Sequence, residues 1–100
     1  MNRAIQSFVT EDGTIRQYPS KRQKKLMILL YLAERLPKDV PMSETEINGQ
    51  IRNWFLPEDY VTIRRELIDH GCVRRDAGGR VYIVPSNQPS LEELEKLYSP

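Results

Sequence analysis

Residues 60–84 read YVTIRRELIDHGCVRRDAGGRVYIV, and the change of period inside this stretch decides the fold. Tyr60, Ile63, Leu67 and Ile68 recur at helical spacing and share one side of a helix. Gly71 is a natural left-handed terminator for it. Beyond Gly71, Cys72-Val73-Arg74-Arg75 and Arg80-Val81-Tyr82-Ile83-Val84 read as strands. Asp76-Ala77-Gly78-Gly79 between them has turn composition, so the spacing predicts a two-stranded hairpin.

Two more helices are expected upstream. Ser43 and Glu46 have capping-box spacing, with Met42 and Ile47 at the staple positions around them. Ile47, Ile51, Trp54 and Phe55 supply that helix's apolar face, with Trp54 read as core. Pro57 ends the segment and suits the first turn of the third helix, followed by Glu58 and Asp59 at the positive end of the dipole. The first helix is expected to start at Ser20, with Gln23 as its capping partner. It buries Leu26, Leu29, Leu30, Ala33 and Leu36 and stops at Pro37.

The ends are simpler. Residues 1–19 read as extended, with Ile5, Phe8, Val9 and Ile15 β-compatible and Glu11-Asp12-Gly13 as a hairpin-type turn. Pro85 to Pro89 reads as a linker, and Ser90 to Tyr98 as a short acidic helix. Ser90 and Glu93 cap it, and Leu91, Leu94 and Leu97 share one side, to dock on their own domain or on a second copy. The expected fold is α+β and winged helix-turn-helix-like: three helices followed by a β-hairpin, with a short extended N-terminus and a short C-terminal helix. The winged-helix-like domain is expected over 1–85, and the linker and terminal helix over 86–100.

Composition sets the bounds. One hundred residues, 39% hydrophobic, support one domain with a modest core. The net charge is +1 and the pI about 7.9, so any case for a polyanion rests on where cations cluster. Cys72 is the only cysteine, which excludes an intrachain disulfide and suits a reducing cytoplasm. The start lacks the apolar stretch of a signal peptide. The longest apolar run, Leu26 to Leu32, is far below the roughly 18 residues of a membrane span. A soluble cytoplasmic protein is expected.

Four basic residues, Lys21, Arg22, Lys24 and Lys25, open the first helix, and no acid interrupts residues 16–25. Cations there oppose the helix dipole, a cost that an anionic partner such as DNA phosphate relieves. Arg74 and Arg80, with Arg75, make the hairpin basic. The third helix turns Thr62, Arg65, Glu66 and Asp69 outward, so Arg65 is the group able to reach a base, beside two repelling carboxylates. Arg64 falls inside the apolar stripe and needs a partner; Glu46 or Asn48 on the second helix would make it a structural clamp. His70 and Cys72 alone do not make a metal site, and no cofactor is expected. Ser, His and Asp side chains show no nucleophile–base arrangement, and no phosphate-cradling glycine loop exists, so no enzyme is expected. Two classes remain: a domain binding double-stranded DNA, or a protein-interaction or dimerisation module.

The chain also resembles a known family, domain-of-unknown-function family 2087, across about Phe8 to Tyr82. The resemblance is carried by Tyr18-Pro19-Ser20-Lys21-Arg22, Leu32-Ala33-Glu34-Arg35, Ser43-Glu44, Glu46-Ile47-Asn48, Asp59-Tyr60, Ile63-Arg64-Arg65, Leu67-Ile68-Asp69 and Gly71, then Arg75, Gly79 and Tyr82. Leu36-Pro37 and Met42 stand where that family often has aromatics, and Leu56-Pro57-Glu58 is a further small departure. The resemblance implies a winged-helix-like domain associated with bacterial transcriptional regulators, and no particular reaction.

Overall fold

A computed structural model describes residues 3–97. Its order is a 3₁₀ helix Arg3–Phe8, α1 Arg22–Arg35, α2 Glu44–Trp54, α3 Tyr60–Asp69, strands β1 Arg74–Arg75 and β2 Tyr82–Ile83, and α4 Leu91–Leu97. This is a small α+β fold of helices and a two-strand antiparallel hairpin. The expected reach of the last helix to Tyr98 lies outside the described residues.

α1 is the central element. Leu26, Ile28, Leu29, Leu32 and Ala33 are buried around more than one side of it, because the 3₁₀ helix, α2, α3 and α4 all pack on it. Leu30, expected in the core, is only partly buried. The helix does not start at Ser20 as the capping spacing suggests. Lys21 is the N-cap, without a side-chain cap bond, and the Gln23 amide donates instead to Glu95 of α4. At the other end Leu36 leaves the helix ahead of Pro37. The Lys38 ammonium closes it, donating to the carbonyls of Ala33, Glu34 and Leu36 at 2.6, 2.9 and 2.7 Å. A cation at a helix C-terminus also suits the dipole. Lys38→Met is expected to cost about 1 kcal/mol, read as a thermal midpoint lower by roughly 4–8 °C.

Arg3–Phe8, expected to be extended, coils instead as a 3₁₀ helix. Ile5 and Phe8 stand three apart, the period at which side chains eclipse in a 3₁₀ helix, and both face the core. The expected turn does form: Val9 bridges Ile15, and Gly13 takes φ +90° beneath the Tyr31 hydroxyl. Ile15 then pairs in parallel with Phe55, through Ile15 N–H to Trp54 O at 2.7 Å and Leu56 N–H to Ile15 O at 2.8 Å. That pairing takes Phe55 out of α2. Trp54 is half-buried, with the Arg35 guanidinium over its ring.

α2 has the complete capping box, Ser43 with Glu46. α3 begins at Tyr60, so Pro57 lies in the connection and not in its first turn. Gly71, at φ +80°, ends α3 as expected, and Cys72 N–H returns to Leu67 O at 2.8 Å. The hairpin strands are shorter than their sequence runs, because only Arg74↔Ile83 and Arg75↔Tyr82 pair. Asp76 fixes the turn by accepting from Arg80 and Val81 N–H. The far edge of β2 is covered by Met42, which exchanges two backbone bonds with Tyr82. α4 is capped by Ser90 with Glu93 and buries Leu94 completely on its own chain.

Four exposed carboxylates, Asp12, Glu46, Asp76 and Glu93, accept local hydrogen bonds that hold them below their ordinary values of 3.8 for Asp and 4.5 for Glu. The unfolded chain therefore binds these protons more readily. Their contribution is fully present above the ordinary values and fades as pH falls through the lowered ones. From these carboxylates the thermal midpoint should be flat between about pH 5.5 and 8 and decline below about pH 4.5.

Candidate functional site

On α3 the Arg64 guanidinium meets Asn48, and the acid beside it differs from the expected Glu46. Arg64 is 9% exposed, and its Nη1 donates to Asn48 Oδ1 at 2.6 Å. The acid beside it is Glu44, 3.5 Å from Nη2, and not Glu46. Glu46 is occupied by the Ser43 backbone N–H at 2.9 Å. The Tyr82 hydroxyl also donates to Glu44, and the Tyr82 ring lies under the guanidinium. This cluster joins α2, α3 and β2 and so fixes the pose of α3's outer face.

Two open depressions border that face. The first, about 380 Å³ between α1 and α3, is lined by Arg22, Lys25, Glu66, Asp69 and His70 over Leu26 and Leu29. The second, about 290 Å³, is lined by Arg65, Ile68, Asp69 and Arg75. Asp69 borders both. The start of α1 and part of the hairpin therefore flank α3 on one side of the molecule, with acids between them.

The predicted cations are distributed unevenly over this face. Arg22 and Lys25 reach it from α1, and Arg65 from α3. Lys25 also lies over the Tyr18 ring, whereas Lys24 is drawn over Phe8 of the 3₁₀ helix. Lys21 is exposed at the N-cap. Arg74 and Arg80 are exposed but line neither depression. The hairpin residue that does is Arg75. Neighbours in a strand point to opposite faces, so Arg74 and Arg75 cannot share one. That alternation is the sequence signal for choosing between them.

Glu66 lines the first depression without being freely exposed. It is half-buried, and its carboxylate accepts a hydrogen bond from the Tyr18 hydroxyl. Burial first, then the carboxylate beside it, push that hydroxyl well above its ordinary value and keep it a donor. The His70 ring Nδ1 lies 2.7 Å from the Glu66 carbonyl, so this nitrogen carries the proton in that contact. Cys72 is fully buried, and burial pushes its thiol up to about 11. Among the described residues no three His, Cys, Asp or Glu side chains are placed to hold a metal ion. Among them, too, no helix is long and apolar enough to cross a membrane.

The start of α3 has a different character. Leu56 is 60% exposed and Val61 38%, with Glu58 and Asp59 exposed between them.

Residues 14–84, most of the chain, match the family model described as "Uncharacterized protein conserved in bacteria (DUF2087)". No curated protein and no solved structure matches the chain.

Proposed function

The chain belongs to the DUF2087 family, and from that premise we propose that it is a non-catalytic, winged-helix-like domain of a cytoplasmic transcriptional regulator that grips the phosphates of double-stranded DNA. The observation that carries this reading is the convergence of Arg22 and Lys25 with Arg65 and Arg75 around one face of α3. Lys21, exposed at the N-cap, continues the basic stretch of α1, whereas Lys24 is drawn to Phe8 and Arg74 points to the strand face opposite Arg75. The order of three helices and a hairpin fits the winged arrangement, with α3 as its recognition helix. The acids on α3 make the contact one that positions the domain on DNA without reading bases.

Salt-dependent binding to a labelled duplex tests it. Replacing Lys21, Arg22, Lys24 and Lys25 together by glutamine should flatten the slope of log affinity against log salt by roughly 2 to 3, about 0.9 for each phosphate that is no longer neutralised. An unchanged slope eliminates this reading.

A second reading draws on Leu56, Val61, Glu58 and Asp59, an apolar and acidic group where a recognition helix would approach bases. On this reading the same fold docks a protein. Light scattering with chromatography separates the cases. A dimer lost in the pair Leu56→Glu and Val61→Glu supports docking of a second copy on this patch, and a monomer in both forms argues against a second copy there.

A further inference from the structure

α4 packs against the basic end of α1. The Arg22 guanidinium donates to the Glu95 carbonyl at 3.3 Å, and the Gln23 amide donates to Glu95 Oε1 at 3.1 Å. α4 sets Glu92, Glu93 and Glu95 against a single Lys96. At seven residues it is too short to persist as a helix alone in water, so docking maintains it. Leu94 is the fully buried anchor and Leu91 is only partly buried.

The chain just before α4 is fastened independently. Ser86 donates to the Asp39 carboxylate through both its backbone N–H and its hydroxyl. Asp39 itself sits at φ 59° and bonds to the Val84 carbonyl. The Gln88 amide donates to the Cys72 and Pro85 carbonyls at 2.9 and 2.7 Å. Release of α4 would therefore hinge at Pro89-Ser90 and leave the hairpin in place.

We infer that α4 is an acidic flap over the basic start of α1, displaced when a polyanion binds there. The inference rests on the DNA reading above. With α4 docked, Arg22 is engaged with Glu95, and a duplex approaching it meets an element with three carboxylates. With α4 released, that repulsion is gone and Arg22 gains a phosphate as partner. The competition is electrostatic and is steepest at low salt.

The test uses the full chain and a labelled 20-base-pair duplex. Leu94→Ala removes the anchor. The pair Glu92→Gln and Glu95→Gln removes two charges while keeping the anchor and an acceptor for Gln23. Both variants should bind the duplex roughly 3–10-fold more tightly with a salt slope close to the parent's, since Arg22 meets a phosphate in every complex once α4 is released. In the parent protein, duplex should speed hydrogen exchange of the α4 amides. Equal affinity for parent and variants, with α4 exchange unchanged by duplex, overturns the flap and leaves the DNA reading standing. Binding by none of the three sinks the DNA reading, and the flap with it. If Leu94→Ala fails to fold, the charge variant still decides.

Discussion

Tyr82→Ala is expected to remove about 3–5 kcal/mol of stability, the range for deleting a large buried aromatic. Tyr82 is fully buried and is among the largest such side chains in the protein. Its backbone pairs with Arg75 on one side and Met42 on the other, so it joins the hairpin to the segment entering α2. Its ring lies 5.8 Å from the Arg64 guanidinium. A domain of this size has roughly 5–15 kcal/mol in all, so the variant should be largely unfolded in mild urea. Tyr82→Phe is the control. It loses only a 3.2 Å hydrogen bond to the exposed Glu44, and about 1 kcal/mol or less should go with it. A Tyr82→Ala denaturation curve within about 1 kcal/mol of the parent would contradict this placement of the ring.

Asn48→Leu should cost about 2–4 kcal/mol, because it strands a buried guanidinium. Asn48 supplies the short acceptor for Arg64, and Glu44, 59% exposed in its side chain, is too well solvated to replace it. Pairing Asn48→Leu with Arg64→Met should recover most of the loss, since no charge is then left buried. Urea denaturation of the two single variants and the pair gives the coupling directly. Additive losses would mean that Arg64 and Asn48 do not depend on each other. Glu44→Gln should change stability by less than about 1 kcal/mol, as expected for a solvated pair.

The candidate face shows how far local sequence reaches. Arg22, Lys25 and Arg65 were legible as a basic start to one helix and an outward position on another. Their meeting around Asp69 depends on how α1 crosses α3, which no local spacing encodes. The acid for Arg64 was not legible either. Glu46 suits both the Ser43 capping box and the clamp, but one carboxylate cannot reach both. The capping box is three residues away in the chain and takes it, leaving the clamp to Glu44.

Sequence alone determined the features set by neighbours a few residues apart: both serine–glutamate caps, the glycine ends of α3 and of the turn before β2, and the order of helices and hairpin. Tertiary structure decided the coiling of Arg3–Phe8, the placing of the α1 N-cap at Lys21, the withdrawal of Phe55 from α2 and the seat of Leu94. Each of these depends on a surface supplied from elsewhere in the chain. The free energy of burying an apolar side chain there, or of completing a backbone hydrogen bond across the fold, outweighs the few tenths of a kcal/mol by which local propensities differ.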